Sequence, residues 1–239
     1  MLVVLASRHD RSARYLVERW TAFGAGMITC EDLSVAGWRF CPSSPDASTA
    51  VVDGRCVPCK DIAGVLTRLP CIFPGELLHI RREDREYVAA EMGAFLMAWL
   101  SSLSCPVLNR PVGTCLSGLN WRPEQWALAA SRVNIRVRTT KRRILLGSTA
   151  EPGGSEPNSI AVTVIGHQCF GQIDPHLGVQ ARRLAMAAGV DLLEVRFSGD
   201  EADFCFESAN LWPDLSRVDL ADAVLQYLQN DSRRSVRRR

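Results

Sequence analysis

The sequence has no apolar run long enough to cross a bilayer. Its longest, Gly93 to Leu103, continues a helical pattern that carries Glu91, so a core helix is expected there and no membrane partner. Met1 to Ala6 is too short for a signal-peptide core and follows no basic region; the expectation is a buried first strand in a cytoplasmic chain. Histidine is scarce, and His9, His79, His167 and His176 show no metal-ligand spacing. There is no phosphate-cradling glycine loop, nucleophile elbow or zinc-protease motif, and no internal repeat.

Cysteine is not lacking, but its pattern argues against two uses. Nine are scattered along the chain, an odd number, as small core side chains in a reducing compartment would be. One pair, Cys56-Val57-Pro58-Cys59, has redox or metal spacing. A zinc site would need a second pair or two histidines at matching distance, so no zinc is expected. A redox motif should open a helix, whereas this pair follows an Asp53-Gly54 turn and reads as the second arm of a hairpin. A small α/β redox protein using Cys56 and Cys59 remains an alternative.

What is present is an ordinary globular composition. The 239 residues are 47% hydrophobic and 23% charged, which fits one large domain or two small ones. The net charge is +2, but five arginines fall between Arg233 and Arg239; without them the rest of the chain carries about −3. A body of that charge is not expected to bind nucleic acid.

The first half alternates strand and helix. Strands are expected over Leu2 to Ala6, Met27 to Cys30, Ile62 to Leu69 and Pro106 to Leu108. Helices are expected over Arg11 to Phe23 and Glu83 to Ser104, with short strands at Gly37 to Cys41 and within Ala50 to Pro58. This order predicts a mostly parallel, three-layer N-terminal sheet. After a helix at Arg122 to Ser131, a strand is expected over Val133 to Val137 and a loop over Ser148 to Ser159. Hairpins then follow around Gly166-His167 and Gly199-Asp200. Between them, Asp174-Pro175 opens a helix that Gly189 closes. A last helix starts near Ser216 and runs to about Leu228. The fold class is therefore α/β, followed by a smaller α+β lobe with antiparallel hairpins. The expected boundaries are 1–111, 112–230 and a basic tail at 231–239.

The order of these pieces resembles the ATP-grasp superfamily, in the branch of graspetide peptide ligases and ribosomal-protein glutamate ligases. Val65-Leu66-Thr67-Arg68-Leu69-Pro70 is similar to its strand-plus-Arg signature. Glu91 stands where the family carries a helical Glu, and Val107-Leu108-Asn109-Arg110-Pro111 resembles its strand ending in Asn-x-Pro. Arg122-Pro123-Glu124-Gln125-Trp126 stands for a Lys-x-x-Gln-Leu helix. Gly189-Val190-Asp191 and Glu207-Ser208-Ala209-Asn210, followed by Pro213, resemble the Gly-Val-Asp and Glu-x-Asn elements. The resemblance covers residues 1 to 131 and 160 to 229.

That resemblance implies ATP and magnesium as cofactors, with Asp191, Glu207 and Asn210 on the metal and Arg122 and Lys141 near the phosphates. It also implies a companion ligase or a peptide substrate as partner. Two departures count against catalysis. Only Val133 to Ser159 is available for the nucleotide lobe, where even one βαβ unit takes ~30 residues. Glu207 and Asn210 are also one residue further apart than in Glu-x-Asn, and on a strand that turns a side chain to the opposite face unless a bulge intervenes. The basic run Arg132, Arg136, Arg138, Lys141, Arg142 and Arg143 reads either as a receiver of phosphates or an acidic peptide, or as a solvated edge protected by charge. His9-Asp10, after the first strand, reads either as a ligand contact or as a loop cap. The expected function is a degenerate ATP-grasp-like binding or partner subunit. The alternative is a minimal active ATP-dependent carboxylate–amine ligase.

Overall fold

The structure is a computed structural model that describes residues 1–44, 47–138, 159–171, 174–199 and 204–236, with the backbone alone for 230–236. Two four-stranded sheets organise it. The first contains β1 (Leu2–Leu5), β2 (Ala25–Ile28), β5 (Gly64–Thr67) and β6 (Val107–Leu108), in the order β2-β1-β5-β6. All its pairings are parallel. Leu-Val-Val-Leu in β1 is buried on both faces, which is why it shows no alternation.

Helix α2 (Arg85–Ser102) covers one face, setting Leu96, Trp99 and Leu100 against Val3, Leu5 and Val65. Trp38 meets Trp99 and Phe95 edge-on, with ring centroids 5.4 and 5.2 Å away. The other face carries α1 (Arg11–Arg19) and α5 (Val218–Val236), whose Leu16, Leu220, Val224 and Leu228 pack on Leu2, Val4 and Leu66. So α5, grouped with the second lobe by sequence order, completes the first three-layer body. It runs on to Val236 rather than ending near Leu228.

The hairpin of β3 (Thr49–Val52) and β4 (Arg55–Pro58) turns through Asp53 and Gly54, both at positive φ. The expected strand at Gly37 to Cys41 is reduced to one bridge, Arg39 to Thr49.

The second sheet is antiparallel, in the order β10-β9-β7-β8. Its strands are β7 (Ser159–Ile165), β8 (Gln168–Phe170), β9 (Leu192–Ser198) and β10 (Cys205–Asn210). Helices α3 (Pro123–Arg132) and α4 (Pro175–Ala188) cover one face, packing Trp126, Ala130, Ala181 and Leu184 on Val162, Val195 and Phe197. Asp174 caps α4 through His176 N, Pro175 sits at its start, and Gly189 ends it in the left-handed region. The expected strand at Val133 to Val137 is a single parallel bridge from Val137 to Phe206. Among the described residues no helix is long and apolar enough to cross a membrane. The expected loop at 148–158 and the tip of the last hairpin at 200–203 lie outside the described residues.

Asn109 joins the two sheets. It follows β6 and is buried; its Nδ2 donates to Leu192 O, and its Oδ1 accepts from Asp191 N and Leu192 N, all at 2.9 Å. Gly118 packs on it at φ 102°, where an added Cβ would lie 3.0 Å from Asn109 Cβ.

Candidate ligand-binding face

Cross-strand pairing divides the face of the second sheet that points away from α3 and α4 in two. Side chains of paired residues point to the same side. One end of this face presents Ile165 and Leu192, which pair and join the core under α5. Further along, polar residues take most places, the exceptions being Ala161, Phe170 opposite Thr163 and Cys205 opposite Ser198. Ser159 pairs with Ser198, Thr163 with Glu194 and Ala161 with Arg196. On β10, Ser208 pairs with Arg196 and Asn210 with Glu194.

The register of β10 shifts between Phe206 and Ser208, so Glu207 is the extra residue of a β-bulge. The inserted residue therefore does not flip the strand as simple counting predicts. Glu207 Oε2 accepts from Ser159 Oγ at 3.0 Å, which places its carboxylate on the same face as Asn210.

Arg136 and Arg138 reach this face from the edge. Phe206 N–H donates to Arg136 O at 2.7 Å, and Val137 bridges Phe206 beside the core. Ile135 is buried and Arg136 and Arg138 are exposed, so the arginines alternate to the Glu207 side. Both are otherwise engaged. Arg196 Nε donates to Glu194 Oε1 at 3.1 Å, with the Glu194 side chain 13% exposed. The face thus combines three guanidiniums and two carboxylates, suited to an anionic or zwitterionic partner.

The remaining candidates lie elsewhere. Asp191 precedes β9, and its Oδ2 accepts from Tyr227 OH at 2.8 Å. At a strand rise of ~3.3 Å per residue it is about 10 Å along the sheet from Asn210 and about 17 Å from Glu207. Magnesium holds its oxygens at about 2.1 Å, so these three side chains do not share an ion. The Asn210 side chain is committed as well: its Nδ2 donates to Trp212 O and its Oδ1 accepts from Trp212 N. Among the described residues no group of three His, Cys, Asp or Glu could hold a metal ion. Arg122 precedes α3, in the helix layer on the opposite side of the sheet, and Gln125 Oε1 accepts from its N–H. Lys141, Arg142 and Arg143 lie outside the described residues.

His9-Asp10 is a cap. Asp10 Oδ1 accepts from Ala13 N, and Oδ2 accepts from Arg68 Nε at 2.7 Å. Cys59 is buried and accepts from Trp99 Nε1, while Cys56 is exposed on β4. Burial pushes the Cys59 thiol up, the reverse of what an attacking redox thiol needs.

Sequence reasoning missed Glu194, Arg196 and Ser159. The signal was there in Leu193-Glu194-Val195-Arg196-Phe197, a strand that alternates core and polar positions beside Glu207.

Comparison with known proteins bears on the fold. No protein-family model matches the chain, and no curated protein matches it. Solved structures do. The macrocyclase MdnC of Microcystis aeruginosa MRC, bound with precursor peptide MdnA, is 12% identical at TM-score 0.69, covering 96% of this chain and 100% of that one. The ATP-grasp ligase PsnB, complexed with minimal precursor, Mg and ADP, is 13% identical at 0.66, covering 95% and 98%. A RiPP-associated ATP-grasp ligase of Chryseobacterium gregarium, in complex with ADP and a leader and core peptide, is 10% identical at 0.66, covering 96% of each chain. The chain has the ATP-grasp fold. The expected α/β class, with its parallel first sheet and antiparallel second, is what these ligases share with it. At such identities the likeness speaks for the fold and leaves the chemistry to the residues.

Proposed function

We propose that this ATP-grasp-fold chain is a non-catalytic binding or partner subunit for peptide ligation, working beside a complete ligase. One observation carries the reading: Asp191, tied to Tyr227, is held apart from Glu207 and Asn210. Held this far apart, Asp191, Glu207 and Asn210 do not suit the single magnesium ion that phosphoryl transfer needs. The short interval from Val133 to Ser159 and Arg122 in place of a lysine support the same reading. That solved structures of similar fold hold precursor peptides supports a peptide as the bound partner. The face of Arg136, Arg138, Arg196, Glu194 and Glu207 would receive it through charge-assisted hydrogen bonds.

One observation favours the rival, a minimal active carboxylate–amine ligase. The bulge returns Glu207 to the side of Asn210, as a working metal site would require. Thermal unfolding with nucleotide separates the two. The proposal expects any rise in melting temperature to be the same with magnesium and with a chelator, and to shrink in Arg136→Ala/Arg138→Ala. A magnesium-dependent rise, lost in Asp191→Ala, would establish the rival.

A further inference from the structure

A groove of ≈ 540 Å³ runs beside α2. Gly93, Met97 and Ser101 form its helical wall, and Cys71, Thr114 and Cys115 belong to the other. Two segments build that second wall. The loop at 112–115 is closed on itself, with Val112 N–H donating to Cys115 O and Cys115 N–H to Val112 O, both at 2.9 Å. Its next residue, Leu116, donates its N–H to Pro70 O at 2.8 Å. That bond aligns the loop with the chain leaving β5, and the adjoining residues on the two segments are Cys71 and Cys115. Cys71 is exposed and Cys115 is buried.

We propose that Cys71 and Cys115 form a reversible disulfide by exchange with a small-molecule disulfide, fastening the groove wall opposite α2. The Cys71 thiolate attacks one sulfur of glutathione disulfide. The glutathione S–S bond breaks, and one glutathione thiolate leaves and takes up a proton. Cys115 then loses its proton and attacks the Cys71 sulfur, expelling the second glutathione. Two protein thiols are oxidised, and one glutathione disulfide is reduced to two thiols.

The surroundings select this pair and set its speed. Cys30 is the third thiol nearby. It is buried, donates to Glu76 Oε2, and is pushed up to about 12, mainly by burial and then by the Glu76 charge. Partial burial also raises Cys71, helped by Cys115 and Glu76. Its thiolate is therefore sparse at neutral pH, so exchange is slow there and quickens with rising pH. The pair is a latch rather than an oxidoreductase.

The test incubates the full chain with glutathione disulfide at mildly alkaline pH, alkylates the remaining thiols, and maps the unreduced digest by mass spectrometry. The expected result is a peptide joining Cys71 to Cys115, lost on treatment with dithiothreitol. Cys115→Ser should instead retain glutathione on Cys71, and Cys71→Ser should show neither product. Wild-type protein with glutathione on Cys71 and an alkylated Cys115 would overturn the proposal, as would Cys71 joined to Cys30. Since Cys71 is exposed, Cys71→Ser and the wild type decide the matter even where Cys115→Ser does not fold.

Discussion

Arg68 holds Asp10 and the chain beyond β10 at once: its Nε donates to Asp10 Oδ2 at 2.7 Å and its Nη1 to Pro213 O at 3.0 Å. The two side chains are 9% and 17% exposed, so the pair is largely shielded from solvent. Asp10 also caps α1. The Arg that marks the strand signature is thus spent on joining β5, α1 and the segment after β10.

Removing one partner should cost more than neutralising the other. Arg68→Ala strands the Asp10 carboxylate and is expected to destabilise by about 3 kcal/mol. Asp10→Asn loses the ion pair but keeps a capping oxygen, and should cost less than Asp10→Ala by about 1 kcal/mol. Urea unfolding of the three variants checks the order.

Asn109 should be intolerant of substitution. Asn109→Ala leaves Leu192 N–H and C=O buried without partners, at about 1–3 kcal/mol each. With ~2–4 °C per kcal/mol for a chain of this size, a melting-temperature drop of roughly 4–24 °C is expected. A drop under about 2 °C in calorimetry would mean that Asn109 does not clamp the sheets.

Asp214 gives acid sensitivity of a defined sign. Hydrogen bonds from the Ser216 hydroxyl and N–H, outweighing its desolvation, and then from Ser12, hold its carboxyl below the ordinary value. A lowered folded pKa stabilises above the unfolded value of ~3.9. That stabilisation is lost as pH falls through the folded value. Wild type should therefore exceed Asp214→Asn in melting temperature near neutrality, with the gap closing below about pH 4. A gap independent of pH would contradict this.

The fold was legible because its cues are local. The unbroken apolar runs at Leu2 and Val65 announce buried parallel strands, and Asp174-Pro175 and Gly189 bound α4. The placement of α5 on the first sheet was not legible, since periodicity shows a buried face without showing what buries it. The site was half legible. Glu207, Asn210, Arg136 and Arg138 do share a face, but the bulge that puts Glu207 there depends on pairing with β9 and on Ser159, 48 residues away in sequence. Asp191 looked like their companion because motif order carries no distance along a strand, and Tyr227 occupies it.

Phosphate release from ATP by the purified chain tests the central claim most directly, with magnesium, candidate precursor-type peptides, and a companion ligase present or absent. One lost charge-stabilising contact typically costs ~10²–10³ in rate. With Asp191 held apart from Glu207 and Asn210, release by the chain alone should stay at background and be unchanged in Asp191→Ala. Magnesium-dependent turnover by the chain alone, abolished by Asp191→Ala, would contradict the account and show an active ligase.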